Sequence, residues 1–400
     1  MNYFLLLLLL FLGTGVSAAE EPFHEAQLIF PLEHWHNHSS SIVEMSNGGF
    51  FVTWFHGSGE RREDDVRILG ARLGPGKKSW IKPFGLADNP NFPDTNCTLF
   101  IDDRERLWLF WPTILANEWH TALLNYKISS DYQRDGPPVW EKSGNILFKH
   151  DLERFEEKVR GYVEPDLETE PEGRRREQMN ALIEHAGDKF FSRLGWMTRT
   201  HPIQLPSGRI VVPLYSDGYS FSLMGISDDG GETWSPSEPI VGYGSIQPSV
   251  VRKKDGTLAA FMRDAGPAPK RIATSTSRDD GMTWSRVVDT EFPNPGSSCE
   301  VIVLQDGTWL LVYNDTEKGR HSLAISLSDD EGKSWKWTRH IERDGRGERA
   351  TTFHYPSVIQ ARDKSIHLTY SYFLNHLPRD AARKSIKYAR FNAAWVKQGD

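Results

Sequence analysis

Apolar and β-branched residues in this chain fall in short runs, and each run is broken by Gly, Asn, Asp or Ser before it is long enough to make a helix. The runs come in pairs: residues 41–45 and 49–54, 97–101 and 107–111, 201–205 and 209–215, 248–251 and 257–262, 300–304 and 309–313, 355–359 and 366–370. Short β-branched and aromatic segments separated by turn residues predict strands joined by hairpins. A third strand follows most pairs after a polar loop. Six such units at regular intervals predict an all-β radial array, in which each sheet is one blade of a propeller.

One stretch departs from that rhythm. Residues 150–192 are rich in Glu and Arg and space Leu152, Phe155 and Val159, then Met179, Leu182, Ile183 and Ala186, as amphipathic helices do. Pro165 and Pro171 are expected to divide the stretch into two pieces. The pattern predicts a helical insertion between the second and third blades, leaning on the rim with one face solvated. A lid over a pocket is the sharper alternative, because long excursions between elements often carry function.

Superimposed on the strands is a motif, Ser-x-Asp-x-Gly-x-Thr/Ser-Trp. It occurs as Ser227/Asp229/Gly231/Thr233/Trp234, Ser277/Asp279/Gly281/Thr283/Trp284 and Ser328/Asp330/Gly332/Ser334/Trp335, with the tryptophans 50 and 51 residues apart. Asp and Ser hydrogen-bond nearby backbone amides, Gly supplies a positive φ, and Trp buries a ring that locks the turn. A period of that size belongs to propeller blades rather than to helical solenoids. A degenerate fourth copy closes at Trp140. These motifs resemble the Asp boxes of the sialidase-like superfamily, so the expected fold is the all-β, six-bladed sialidase propeller, spanning residues 20–400.

Composition narrows the class of partner. The chain has 400 residues and a formal net charge of -7, and no basic stripe runs along it, which argues against nucleic acid. Residues 4–12 form an apolar run too short to span a bilayer, followed by small residues up to Ala18 and Ala19. That is the pattern of a signal peptide over 1–19, with a mature start near Glu20 and a secreted or periplasmic destination. No later stretch reads as a membrane span. Cys97 and Cys299 are expected to be buried free thiols, and the sequons at Asn37 and Asn96 fall at strand starts and read as chance matches. No His/Asp/Glu grouping has metal-ligand spacing, and no cofactor is implied.

Propellers hold ligands at one end of the central channel, where the innermost strands begin. The repeat alignment puts His38, Asn96, His201, Gln247, Glu300 and Tyr355 there, a polar set that packing alone would not select. Trp35, Trp54, Trp111 and Trp196 adjoin those strand ends as candidates for stacking on sugar, and Arg199 lies beside His201. The resemblance assigns roles to some of these positions. Sialidases grip the substrate carboxylate with three arginines; the second and third match Arg263 and Arg320, while His38 stands where the first is expected. The nucleophile matches Tyr355. Its usual glutamate partner is replaced by Gln247, which leaves Glu300 as the available activating carboxylate. The acid/base matches Asp64 or Asp65 in the charged run 60–65.

The resemblance implies an exo-acting glycoside hydrolase for a terminal acidic sugar, sialic acid by default, acting on a glycan or glycoconjugate. Two alternatives remain open from the residues. One is a hydrolase or a lyase on uronate-containing glycans, the lyase with His38 or His201 and Tyr355 moving the proton α to the carboxylate. The other is a non-catalytic glycan-binding propeller, which the absent arginine and Gln247 both favour.

Overall fold

The computed structural model describes residues 20–400; the expected signal peptide lies outside the described residues. Six antiparallel sheets follow one another around a central channel. Blade I comprises His36–Glu44, Phe50–Gly57, Arg67–Leu73 and Phe84–Ala87. Blade II comprises Thr98–Ile101, Leu107–Ile114, Ala122–Ser129 and Lys142–Asn145. In blade III, Ile210–Ser216 and Phe221–Ser227 carry the sheet, with the innermost edge split into Met197–Thr198 and Ile203–Gln204. Blades IV and V begin at Ser245–Arg252 and Glu300–Val303, and blade VI at Thr352–Gln360.

The outermost strand of blade VI comes from the other end of the chain. His24–Leu28 pairs antiparallel with Lys384–Phe391, so that His24 lies opposite Phe391 and Leu28 opposite Lys387. This closes the ring by tying the start of the chain to its last blade, with His24–Leu28 as that blade's outer edge strand. Nothing local in the sequence marks it, because the partners lie more than 350 residues apart.

The runs are apolar on both faces because each blade is sandwiched between neighbours. Val43, Phe51 and Phe55 of blade I pack with Leu99, Leu107 and Leu109 of blade II, and Leu310, Val312 and Ile325 of blade V with Val358, Leu368 and Phe391 of blade VI. The Asp boxes act as the motif predicts. Asp229 accepts from Ser227 Oγ at 2.8 Å, Thr233 N at 2.9 Å and Thr233 Oγ1 at 2.6 Å, and Ser227 Oγ accepts from Gly231 N at 2.8 Å. Asp279 and Asp330 repeat those contacts.

The insertion forms three helices, α1 (Leu152–Leu167), α2 (Arg174–Ala186) and α3 (Lys189–Arg193). Asp151 caps α1 by accepting from Arg154 N. Pro165 sits inside the last turn of α1 instead of ending it; the break falls at residues 168–173, where Gly173 takes φ +151°. Phe155, Val159, Val163, Met179, Leu182 and Ala186 bury against Phe148, Trp196, Tyr219 and Phe221. The helices therefore dock on the flank of blades II and III.

Candidate active site

A repeated irregularity builds the floor of the mouth. Ser39, Asn96, Gln247 and Tyr355, at the starts of four innermost strands, all adopt positive φ, between 40° and 58°. The ladders of blades I, IV and VI slip at that point, between His38 and Ser41, Ile246 and Ser249, and His354 and Ser357. Non-glycine residues in this conformation are strained, and they persist only where their surroundings hold them. Two residues further on, a hydroxyl accepts the backbone N–H of the next blade: Ser41 from Leu99 N at 3.0 Å, Ser249 from Val301 N at 3.0 Å and Ser357 from Ile42 N at 3.1 Å.

Glu300 occupies that second position, not the first. Its Oε2 accepts from Val358 N at 2.7 Å, the bond a serine makes elsewhere in the ring. Its Oε1 accepts from His201 N at 3.1 Å and His201 Nδ1 at 2.8 Å. The expectation that Glu300 activates Tyr355 is therefore corrected: both oxygens are committed below the floor, and the blade V residue in register with Tyr355 is Ser298. His201 is corrected with it. Its second nitrogen donates to Ile42 O at 2.8 Å, so both ring nitrogens face acceptors. Desolvation works against the charged ring, but Glu300 outweighs it and raises the pKa above the ordinary histidine value. Arg199 also belongs below the floor. It is 1% exposed, donates to Ser40 O and Pro356 O at 3.2 and 2.7 Å, and sits 5.1 Å from the Tyr355 ring. It supports the tyrosine and is not open to a ligand.

Above the floor, Tyr355, Arg263, Arg320, Gln247, His38 and Asn96 converge. The Tyr355 hydroxyl oxygen accepts from Arg263 Nη1 at 2.8 Å and from Gln247 Nε2 at 3.3 Å. Arg263 also reaches Gln247 Oε1 at 3.4 Å. The Arg320 guanidinium lies 5.4 Å from the Tyr355 ring centroid and donates to Gly296 O at 2.8 Å. Neither arginine pairs with a carboxylate among the described residues. Asn96 donates to Tyr215 Oη at 2.9 Å, and burial pushes the Tyr215 phenol well above its ordinary pKa. Ser39 Oγ, Ser298 Oγ, Arg263 Nε and His354 Nδ1 are buried and find no partner in the chain.

His38 does not replace the charge of the arginine expected there. Its ring packs 4.2 Å from Tyr355 and 4.8 Å from His354, and its Nδ1 shares a 2.7 Å bond with Ser371 Oγ. Burial, and then the neighbouring His354, His36, Arg320 and Arg199, hold its pKa well below the ordinary value, so the ring is neutral.

The acid/base expectation also shifts. Asp65 accepts from Ser58 N and Oγ at 3.0 and 2.8 Å, and Asp64 from Asn117 at 2.8 Å; both are exposed and fasten their own loop. The carboxylates near the arginines are Glu60 and Asp217. Burial works to raise Glu60, but its 3.1 Å contact with His36 and the charges of Arg320 and Arg61 outweigh it and leave the carboxyl below its ordinary value. Desolvation raises Asp217, opposed by Arg263 and Arg61 and aided by Glu60. Glu60 hid in a run of six residues, all of them charged, four acids and two bases. Asp217 follows the second strand of blade III, the place where mouth loops start, and that position was its only signal.

Of the four tryptophans proposed for stacking, only Trp35 is open, at 37% exposure; Trp54, Trp111 and Trp196 are buried at 0%, 4% and 2%. Asn37 and Asn96 are 0% and 5% exposed, which removes both sequons as acceptors. The two cysteines are buried, and desolvation pushes each thiol up to about 12. The larger surface grooves lie elsewhere: one of about 810 Å³ lies around Gly48 and Asp363, one of about 770 Å³ between Leu147 and Phe190, and one of about 580 Å³ between α1 and the Trp284 turn. No helix among the described residues is long and apolar enough to cross a membrane.

Comparison with known proteins places this geometry. The BNR repeat-like domain matches residues 167–368, about half of the chain. The anhydrosialidase of Macrobdella decora is 33% identical over 124 residues, which is 30% of this chain and 15% of that relative's length. Among solved structures, a protein of unknown function from Dyadobacter fermentans superposes with a TM-score of 0.67 at 16% identity, covering 92% of this chain and 98% of its own. A leech intramolecular trans-sialidase complexed with 2,7-anhydro-Neu5Ac gives 0.67 at 14% identity, with 94% and 71% covered. The NanB sialidase of Streptococcus pneumoniae gives 0.65 at 13%, with 92% and 71% covered.

Proposed function

From a chain that belongs to the BNR repeat-like family and folds as a sialidase-like propeller, we propose a glycoside hydrolase that removes a terminal acidic sugar from a glycan. The observation that carries this reading is the pair of guanidinium groups flanking Tyr355 with only neutral partners of their own. A buried cation without a counter-ion is costly, and a ligand carboxylate held by two arginine forks relieves both at once. The similar proteins, an anhydrosialidase and a sialidase among them, favour sialic acid over a uronate.

In this reading the Tyr355 oxygen faces the anomeric carbon and attacks as the glycosidic bond breaks, a neutral phenol being unrepelled by the sugar's carboxylate. Arg263 and Arg320 fix the sugar and stabilise negative charge near that oxygen. Glu60, held as an anion, is the mouth carboxylate suited to take the phenolic proton, directly or through a water. The apolar leader fits an exported enzyme.

A second reading, binding without turnover, is favoured by one observation. Gln247 donates to Tyr355 where a glutamate would accept its proton. Incubating the purified chain with sialylated and uronate-containing oligosaccharides, reading released sugar and ultraviolet absorbance together, separates these outcomes. Hydrolysis gives free acidic sugar and no absorbance, and Tyr355→Phe removes it while leaving glycan binding. Product formation at an unchanged rate in Tyr355→Phe refutes the mechanism. Absorbing product means elimination, and binding alone supports the second reading.

A further inference from the structure

The carboxylates around the mouth differ in what they touch. Glu60 has His36, Asp64 has Asn117 and Asp65 has Ser58. Asp217 has no hydrogen-bond or ion-pair partner among the described residues, although it is solvent accessible and close enough to Arg263, Arg61, Glu60 and Tyr215 to feel their charge.

The loop around Asp217 is tied from two directions. Within the loop, Ser216 Oγ accepts from Gly218 N at 3.2 Å and Tyr219 N at 3.4 Å, and Ser216 O accepts from Ser220 N at 2.8 Å. From the insertion, His185 Nδ1 donates to Gly218 O at 3.2 Å and His185 O accepts from Tyr219 Oη at 2.9 Å. Phe191 and His120 close over Gly218, where even a Cβ would meet both at 3.1 Å. The helical insertion therefore reaches the mouth without covering it: it clamps the residues on the C-terminal side of Asp217. Such bracing from outside is what holds a reacting side chain in one geometry.

Resting on the glycosidase reading, we propose that Asp217 is the proton donor to the leaving oxygen, and that the insertion exists to hold it there. When the C–O bond breaks, its electron pair goes to the glycosidic oxygen, which takes the Asp217 proton. The anomeric carbon bonds to Tyr355 Oη, whose proton passes to Glu60. In the second half a water attacks the same carbon and gives a proton to Asp217, and Tyr355 leaves and recovers its own proton from Glu60. The contacts of the two carboxyls suit the division, since no hydrogen-bond donor among the described residues holds Asp217 as an anion while His36 and the arginines favour the anion of Glu60.

The test compares two substrates of the same acidic sugar, 3′-sialyllactose and the 4-methylumbelliferyl glycoside. The aryl leaving group departs without a proton. Asp217→Asn is expected to lower kcat/KM on the lactoside by about 10²–10⁴-fold and on the aryl glycoside by under about 10-fold. It also removes the fall in activity as pH rises, because a proton donor must be protonated to act. Tyr219→Phe, a positioning variant that cuts the bond to His185, is expected to give a smaller loss of the same selective kind. Thermal melting checks that both variants fold. Equal losses on the two substrates, or no loss, overturn the assignment. A wild-type chain that cleaves neither substrate overturns the glycosidase reading itself, a result distinct from an active enzyme indifferent to Asp217→Asn.

Discussion

Replacing Gln247 with glutamate tests the site at its most informative point. Gln247 is 1% exposed and stands between the Tyr355 hydroxyl at 3.3 Å and Arg263 Nη1 at 3.4 Å. A carboxylate there loses hydration worth several kcal/mol. It also gains a guanidinium neighbour, worth about 4 kcal/mol at 4 Å for an effective dielectric of 20, so the two effects nearly cancel and the fold should survive. Chemically the change is larger. The amide donates to the phenol, whereas a carboxylate accepts its proton, and positioned general-base catalysis contributes about 10²–10⁴-fold. At 1.36 kcal/mol per decade this is about 3–5 kcal/mol of barrier. Gln247→Glu should raise kcat on an aryl glycoside of the acidic sugar by at least about 100-fold, or create turnover where the wild type only binds. The assay is steady-state release of the aryl group, with melting temperature as a control. A folded variant that binds the sugar and turns over no faster refutes the reasoning that a carboxylate in contact with the phenol is a better base than Glu60.

Arg320→Met should weaken binding of an acidic monosaccharide by about 10- to 200-fold, from about 1.5–3 kcal/mol for a hydrogen bond to a charged group, and leave a neutral glycan unaffected in calorimetry. Gly231→Ala and Gly281→Ala both force a Cβ onto φ near +90°, a cost of about 1–2 kcal/mol, but only at Gly231 does the Cβ run into Trp108, at 2.1 Å. Urea unfolding should therefore show Gly231→Ala losing about 2–3 kcal/mol more than Gly281→Ala; equal losses would count against the packing argument. The His201–Glu300 pair predicts a stability window. Burial opposes both charges, yet each partner outweighs it, so Glu300 is lowered and His201 raised. The Glu300 contribution is lost as pH falls through its lowered folded value, and that of His201 is lost as pH rises through its raised one. Their sum is fullest between the unfolded values, about 4.3 and 6.5. Glu300→Gln should flatten both limbs of the stability profile in a pH series of urea melts, and an unaltered profile would contradict the pairing.

The architecture was legible because it is repeated: six paired runs and three boxes each restate the same local physics. What the repeats could not show was the closing strand, since His24–Leu28 finds its partner through the whole ring and not through its neighbours. The loop at 60–65 was illegible for a related reason. Which acidic side chain turns into the mouth depends on Ser58, Asn117 and His36, and only the last contact, 3.1 Å to Glu60, points toward the arginines.

Glu300 was misread for a reason that the sequence itself contains. Gln247-Pro248-Ser249 and Tyr355-Pro356-Ser357 place the residue facing the mouth two positions before a serine, and Ser298-Cys299-Glu300 follows the same register with the carboxylate in the serine's place. Any short acceptor could cap the N–H of the next blade, as Ser41, Ser249 and Ser357 do. A buried carboxylate is far more costly than a hydroxyl in that role, so its presence requires a second task. That task is charge: His201 and Arg199 lie in the same channel, and Arg199 is packed beneath the Tyr355 ring. Glu300 neutralises the cations under the tyrosine and leaves those above it, Arg263 and Arg320, without a counter-ion of their own. In the proposed function, the preference of the mouth for an anionic sugar thus depends on a carboxylate that lies below the floor.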